Sequence, residues 1–300
     1  MPRTLFDRPI AHRGLHDRAG GVIENSRSAF EAAIAAGYAI ECDVQLSSDG
    51  IPFIFHDDDF DRLTEATGRS DAKSIAEVQA LVLKDSAARE VPQRFSEFLA
   101  QAAGRTMLQI ELKQQRNAER TRALATAVTN DLRNYRGPHT LESFDPNLIV
   151  ALRRAGATAP IGIITYGYDE PTWDGKLPGW QRVVLRYLLH WPLTRFDFIS
   201  CRDVSLNLPA VRFFRALGVP VTSWTIKSQS GAEAALRHAD QIVFVKEAPA
   251  DPLHPTVKPH RIEGLELAEL DLSKGKIEDA ADLADKAMTD QPPLRAAIIP

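Results

Sequence analysis

Short runs of apolar residues alternate along this chain with longer segments in which apolar residues recur at helical spacing. Strands that alternate with helices in this way are typical of repeated βα units built around a parallel sheet. Eight such strands are predicted, beginning near residues 8, 38, 107, 139, 161, 196, 221 and 241. Eight repeats within 300 residues match the size of one barrel, so we predict an α/β fold of the (β/α)8 TIM-barrel class.

One further strand breaks the repeat. Ile51–Phe55 follows the second strand, Tyr38–Gln45, across the turn Ser48-Asp49-Gly50, and this short connection predicts a β-hairpin. Residues 57–105 come next and are polar, with only short amphipathic pieces. We therefore predict that these residues form a small insertion after the hairpin.

The segments between the strands carry signals for the start and the end of a helix. In Ser26–Ala36, a serine can cap the first turn and Gly37 follows the last turn. The other predicted barrel helices are Glu119–Leu132, Pro146–Arg154, Pro209–Leu217 and Ala232–Arg237. The barrel is predicted to span residues 1–250, and residues 251–300 are predicted to form a partly helical C-terminal extension.

Composition and charge narrow the class of protein. A hydrophobic content of 44% and a charged content of 25% are ordinary for a globular domain. Two cysteines, and no apolar run long enough for a signal peptide or an integral membrane segment, predict a cytoplasmic location. The net charge of −4 comes from residues 263–300, which hold nine acids and four bases. The rest of the chain is nearly neutral, so we predict no nucleic-acid partner; the oligomeric state is left open.

Two of the predicted strands place acidic residues on one face. Side chains alternate along a strand, so Glu41 and Asp43 share one face of the second strand, and Glu111 and Lys113 share one face of the third. Three carboxylates that converge at the strand ends of a barrel can form an all-oxygen site for Mg²⁺ or Ca²⁺. The alternative interpretation is that each acid simply pairs with a nearby Arg or Lys.

Two histidines follow strands directly. His12 comes after the first strand and His56 after the hairpin strand. Cleavage of a phosphodiester requires one group that removes a proton from the nucleophile and one that protonates the leaving alcohol, and two imidazoles can supply both. Arg13 and Lys113 are candidates for contacts with the phosphate oxygens.

Taken together, these segments resemble the glycerophosphodiester phosphodiesterase family. The matching motifs run in order over about residues 8–245: Ile10-Ala-His-Arg-Gly14, Ile23-Glu-Asn-Ser26, Ala39-Ile-Glu-Cys-Asp-Val-Gln45, Phe55-His-Asp57, Arg62-Leu-Thr64, Ile110-Glu-Leu-Lys113, Ser143-Phe-Asp-Pro146 and Ser223-Trp-Thr225. Ile23 and Lys227 depart from the residues common in the family, and the final strand lacks a usual Thr-Asp ending. These departures affect substrate choice more than the chemistry.

The resemblance implies both an activity and a set of site residues. It implies hydrolysis of a small-molecule glycerophosphodiester to glycerol 3-phosphate and an alcohol, with a divalent cation, Mg²⁺ or Ca²⁺, as the cofactor. The implied residues are Glu41, Asp43 and Glu111 for the metal, His12 and His56 for acid–base catalysis, Arg13 and Lys113 for the phosphate, Trp224 as an apolar wall for the alcohol, and Glu24 and Asn25 as polar residues beside the site.

Several alternatives stay open at this point. The nucleophile is either the 2-hydroxyl of the glycerol, which gives a cyclic phosphate, or a water molecule. The same barrel also supports a lysophospholipase D or sphingomyelinase-D-like activity, and the aromatic-rich connection Tyr166–Trp191 is either a lipid-facing lip or local core. A non-catalytic binding relative is the third alternative.

Overall fold

The computed structural model of the protein describes residues 3–169 and 177–245. Its nine strands within these residues are β1 (Ile10–Ala11), β2 (Ala39–Leu46), β3 (Pro52–Ile54), β4 (Leu108–Leu112), β5 (His139–Ser143), β6 (Ile161–Thr165), β7 (Phe198–Arg202), β8 (Val221–Ile226) and β9 (Gln241–Phe244). The order around the sheet is β1-β9-β8-β7-β6-β5-β4-β2-β3. Because β1 also pairs with β2, the eight parallel strands close into a barrel, and the predicted TIM barrel is confirmed.

The ninth strand, β3, lies outside the parallel series. It pairs antiparallel with the end of β2, with Val44 opposite Ile54, which is the hairpin expected from the sequence. The strand predicted to begin at Phe196 begins two residues later, at Phe198. Only Ile10 and Ala11 of the predicted first strand have ladder partners.

Most helices connect the parallel strands on the outside of the barrel, and one short helix lies in the segment after the hairpin. In the described residues they are α1 (Arg27–Ala35), α2 (Ile75–Val78), α3 (Phe95–Ala102), α4 (Ala118–Leu132), α5 (Pro146–Arg154), α6 (Gly179–Arg186), α7 (Trp191–Thr194), α8 (Pro209–Ala216) and α9 (Gln229–Leu236). Side-chain caps set several starts: Ser26 accepts from the Ala29 N–H, and Asn117 accepts from the Arg120 N–H. The last helix begins earlier than Ala232 because Ser228 caps it.

Apolar side chains fill the end of the barrel at which the parallel strands begin. Phe6, Ile10, Ala39, Phe198 and Val243 form one buried cluster inside the ring of strands. Side chains at paired positions of parallel strands point to the same side, so the residues two positions further along each strand lie above this cluster. The barrel interior therefore becomes polar toward the carboxyl ends of the strands, where barrel active sites are found.

The segment 57–105 divides into two parts. Its first part builds a small core of its own, in which Phe60, Leu63 and Val78 pack on Phe53 and Phe55 of the hairpin region. Its last part, α3, packs against α1 and α4, which is the place of the crossover helix between β2 and β4. The polar, irregular portion of the predicted insertion therefore ends before α3, and that helix belongs to the outer layer of the barrel.

The predicted C-terminal extension, residues 251–300, lies outside the described residues, as do residues 170–176 of the aromatic-rich connection. Among the helices that the structure describes, none has both the length and the apolar character needed to cross a bilayer. The cytoplasmic location stays a prediction.

Candidate active site

Three buried carboxylates meet inside the barrel at the carboxyl ends of β2 and β4. Asp43 stands opposite Glu111 in the register of the two strands, and Glu41 lies one layer below on the same face. One oxygen from each of the three residues lies within 4.8 Å of the others. None of the three side chains is more than about a tenth exposed. The sequence-predicted acidic cluster is therefore present in space.

Lys113 and Arg13 bring positive charge to this cluster. The Lys113 ammonium lies 2.7 Å from Glu111 Oε1 and 3.2 Å from Asp43 Oδ1, and Arg13 Nε lies 3.3 Å from Asp43 Oδ2. Burial alone would raise the pKa of Asp43, but Lys113, His56 and Arg13 outweigh burial and hold this pKa far below its usual range. Asp43 is therefore ionised at every physiological pH.

Glu41 has the opposite tendency. Its pKa is raised well above the ordinary value, first by burial and then by the neighbouring charges of Asp43 and Glu111. Its Oε2 accepts the Arg13 backbone N–H at 2.9 Å, whereas Oε1 is buried and has no hydrogen-bond partner among the described residues. A cation among these three carboxylates would relieve their crowding and satisfy the orphaned oxygen. The all-oxygen donor set fits a hard divalent cation.

His12 and Arg13 lie in the tight turn that follows β1. His12 Nε2 lies 3.9 Å from Glu41 Oε2, and the imidazole is 17% exposed. Its pKa is lowered well below the usual value, mainly by burial and next by the charge of Arg13. Arg13 and Gly14 both have positive φ, and a Cβ on Gly14 would lie 2.8 Å from the backbone of Ala29 on α1. Glycine at position 14 thus lets the turn pack against α1.

Glu24 and Asn25 come from the loop before α1. Asn25 Nδ2 donates to Asp43 Oδ2 at 2.8 Å, and Asn25 Oδ1 accepts the Asp43 backbone N–H at 3.3 Å. Glu24 Oε1 accepts from Arg13 Nη1 at 2.7 Å. Burial opposes ionisation of Glu24, but hydrogen bonds from Arg62 and the charge of Arg13 lower its pKa to about 2. Asn25 therefore orients an acid of the cluster, and Glu24 orients Arg13.

His56 follows β3 and lies beside Asp57. Its Nδ1 is 2.6 Å from Asp57 Oδ1. Hydrogen bonds from His56 and Arg62 outweigh burial and hold the pKa of Asp57 well below its usual range, so this carboxylate acts as an acceptor. Nδ1 of His56 therefore carries a proton, and Nε2 is the nitrogen that remains for acid–base chemistry. Asp57 and Arg62 had been noted in the sequence only as parts of motifs.

Aromatic side chains contact one another near the carboxyl ends of β5, β6 and β8. The rings of Trp224 and Phe144 pack edge to face with their centroids 5.6 Å apart, and the centroids of Phe144 and Tyr166 are 6.1 Å apart. Tyr166 stacks on Tyr168 at 4.2 Å. Trp224 Nε1 donates to the Ser200 carbonyl at 3.2 Å, so the polar end of the indole is satisfied.

Glu142 is a fourth acid that the sequence interpretation missed. It stands opposite Glu111 in the β4–β5 register and accepts a hydrogen bond from Gln109 Nε2 at 2.9 Å. Burial raises the pKa of Glu142 to about 8, and the nearby charge of Glu111 adds to this rise. The alternation in β5 could have revealed it, since Thr140 and Glu142 share the face opposite His139, Leu141 and Ser143.

Comparisons with known proteins agree with this geometry. The model of the "Glycerophosphoryl diester phosphodiesterase family" matches residues 12–254. Glycerophosphodiester phosphodiesterase 1 of Mus musculus is 26% identical over 245 residues, which cover 73% of this chain and 71% of the mouse protein. A match of this extent to the family model establishes the family.

Solved structures match the fold. An Oleispira antarctica phosphodiesterase, solved in complex with the product sn-glycerol-3-phosphate, superposes with a TM-score of 0.66 at 22% identity, covering 81% of this chain and 94% of that protein. A glycerophosphodiester phosphodiesterase from Parabacteroides distasonis gives a TM-score of 0.63 at 20% identity, with 79% and 92% coverage. The barrel, its buried acids and the family match lead to one conclusion: this chain belongs to the glycerophosphoryl diester phosphodiesterase family of enzymes.

Proposed function

We propose that this protein hydrolyses glycerophosphodiesters to glycerol 3-phosphate and an alcohol. The observation that carries the proposal is the grouping of two imidazoles, His12 and His56, around three buried carboxylates. Membership of the family supports the reaction class. The bound product of the Oleispira antarctica phosphodiesterase, sn-glycerol-3-phosphate, supports the identity of the phosphate product.

We assign Glu41, Asp43 and Glu111 to a divalent cation, Mg²⁺ or Ca²⁺. Such a cation supplies Lewis-acid stabilisation of the negative charge that develops at phosphorus. Arg13 and Lys113 bind the non-bridging phosphate oxygens, because both cations already point at the acid cluster from two sides. Trp224 gives the alcohol an apolar surface, and its edge contact with Phe144 holds that surface in place.

The two histidines differ in environment, and we assign their roles from this difference. His12 is neutral at pH 7 because its pKa is lowered by burial and by Arg13, so it accepts the proton of the attacking hydroxyl or water. His56 is held at Nδ1 by the carboxylate of Asp57, which leaves Nε2 for the substrate. His56 therefore protonates the oxygen of the departing alcohol as its bond to phosphorus breaks.

The experiment is an assay of several glycerophosphodiesters with EDTA treatment and subsequent addition of Mg²⁺ or Ca²⁺. We expect turnover that chelation abolishes and metal restores. Hydrolysis that resists the chelator would remove the metal assignment, and the absence of turnover on every substrate would favour a non-catalytic binding protein. A substrate without the 2-hydroxyl separates the two nucleophiles, since normal turnover on it eliminates the cyclic phosphate.

A second activity, of the lysophospholipase D type, is favoured by one observation. Part of the aromatic-rich connection is exposed: Trp180 by 67%, Tyr187 by 45% and Trp191 by 42%. By contrast, Tyr166 and Tyr168 are buried as local core. The rates on glycerophosphocholine and lysophosphatidylcholine distinguish the two activities. A preference for the lysolipid that disappears in Trp180→Ser would make this connection a lipid-facing surface.

A further inference from the structure

Arg62 lies in the segment that follows the hairpin, outside the strands of the barrel. Its neighbours Phe60 and Leu63 are buried in the small core of that segment, which anchors the backbone on both sides of Arg62. The guanidinium itself is 41% exposed and reaches toward the barrel mouth. The position of Arg62 therefore depends on this small core and not on the hydrogen bonds between the barrel strands.

The guanidinium forms two bidentate pairs at once. Nε and Nη2 donate to Asp57 Oδ2 and Oδ1 at 2.6 and 2.9 Å. Nη1 and Nη2 donate to Glu24 Oε2 and Oε1 at 2.8 and 2.7 Å. This double fork uses the planar geometry of arginine, which the single ammonium of a lysine cannot reproduce.

Each of the two carboxylates also holds a side chain of the proposed active site. Glu24 accepts from Arg13 Nη1 at 2.7 Å, and Asp57 pairs with His56 Nδ1 at 2.6 Å. Hydrogen bonds therefore run without a gap from the phosphate-binding guanidinium, through Arg62, to the acid–base imidazole. The two ends of this chain come from β1 and β3, which do not pair with each other.

We propose that Arg62 is a positioning residue that sets the orientation of Arg13 and His56 together. This role rests on the proposed phosphodiesterase function. Without Arg62, the partly buried carboxylates of Glu24 and Asp57 would lose the cation that they share. Each carboxylate would then turn toward Arg13 or toward solvent. Misplacement of a reacting group by about 1 Å can lower a rate by about 10²-fold.

The first test compares Arg62→Ala and Arg62→Lys with a matched control, Arg105→Ala. Arg105 forms an equally short bidentate pair, with Glu31, and is 43% exposed, but touches no residue of the site. We expect kcat to fall about 10²-fold in Arg62→Ala, only partial recovery in Arg62→Lys, and a change within about twofold in the control. A folded Arg62→Ala that keeps wild-type kcat overturns the proposal.

The split between KM and kcat separates positioning from a loss of folded protein. Arg13 is assigned to the phosphate and His56 to the leaving oxygen, so misplacement of both side chains in Arg62→Ala should raise KM as well as lower kcat. A smaller folded fraction lowers the apparent kcat and leaves KM unchanged, so an unchanged KM with reduced activity also counts against the proposal.

A binding measurement completes the test without turnover. The affinity for inorganic phosphate, measured by calorimetry, should fall about tenfold in Arg62→Ala because Arg13 loses its orientation. If wild-type protein hydrolyses no glycerophosphodiester, the proposed function fails and the phosphate affinity alone decides the role of Arg62. If Arg62→Ala does not fold, Arg62→Lys takes its place in all three measurements, and wild-type values there overturn the proposal.

Discussion

The two halves of this barrel differ in the chemistry of their inner faces. The half formed by β1 to β4 supplies most of the charged groups of the site: His12, Arg13, Glu41, Asp43, Glu111 and Lys113. The half formed by β5 to β9 contributes mainly hydroxyl and aromatic groups, among them Thr140, Ser200, Thr222 and Trp224. Three parallel barrel strands belong to the first part and five to the second, and the first part also carries the antiparallel β3. The parallel strands share one backbone geometry, so the difference between the inner faces lies in the side chains.

The comparison shows two ways in which a barrel holds buried acids. In the first half, Asp43 stays ionised because Lys113, His56 and Arg13 stabilise its charge. In the second half, no cation among the described residues pairs with Glu142, and burial raises its pKa to about 8, so that it keeps its proton at neutral pH. A buried acid stays ionised where opposite charges stabilise it, and a buried acid without such a partner becomes neutral.

The largest expected effect separates the charged half from the hydroxyl half. His56→Gln removes an acid–base group and should lower kcat/KM by about 10²- to 10⁴-fold. Thr222→Val, an isosteric change at a buried position of β8, should alter kcat/KM by less than about threefold, because no charge is involved. Steady-state kinetics on a glycerophosphodiester checks both variants. Equal losses in the two would mean that catalysis is not confined to the charged half.

A second, smaller effect compares two buried glutamates, one from each half. Saturation of the wild-type protein with Ca²⁺ at 100 times Kd should raise the free energy of unfolding by about 2.7 kcal/mol. Glu41→Gln should abolish this stabilisation, because it removes one proposed ligand and leaves a neutral amide. Glu142→Gln should retain it, since Gln resembles the protonated acid. Thermal unfolding with and without Ca²⁺ measures this difference, and calcium stabilisation of Glu41→Gln would contradict the ligand assignment.

The smallest effect concerns the pH dependence of stability. The pKa of Glu142 is raised from an ordinary 4.5 to about 8, so the folded state binds this proton more tightly than the unfolded chain does. Stability from this group is therefore complete below pH 4.5 and declines as the pH rises toward 8. The amide in Glu142→Gln does not titrate, so the urea midpoint of this variant should decline less over this pH range. Parallel midpoints for the two proteins would show that Glu142 is ionised at pH 7.

Much of the architecture follows from local pattern. The period of two in β2 and β4 predicted that Glu41 shares a face with Asp43, and that Glu111 shares a face with Lys113. The hairpin was likewise evident from its turn. The role of α3 was not, because a helix of eight residues at the end of a polar segment has no local signal that separates it from an insertion. Its packing between α1 and α4 is a long-range property.

The sequence by itself determined the barrel, the residues of the acidic cluster and the positions of both histidines, because strand alternation and motif spacing are local properties. Only the tertiary structure decided how these groups act on one another. Arg62 reaches Glu24 across 38 positions of the chain, and the neutral state of Glu142 depends on strands that surround it. Hydrogen bonds, burial and charge depend on distance in space, and folding brings together residues whose separation along the chain carries no such information.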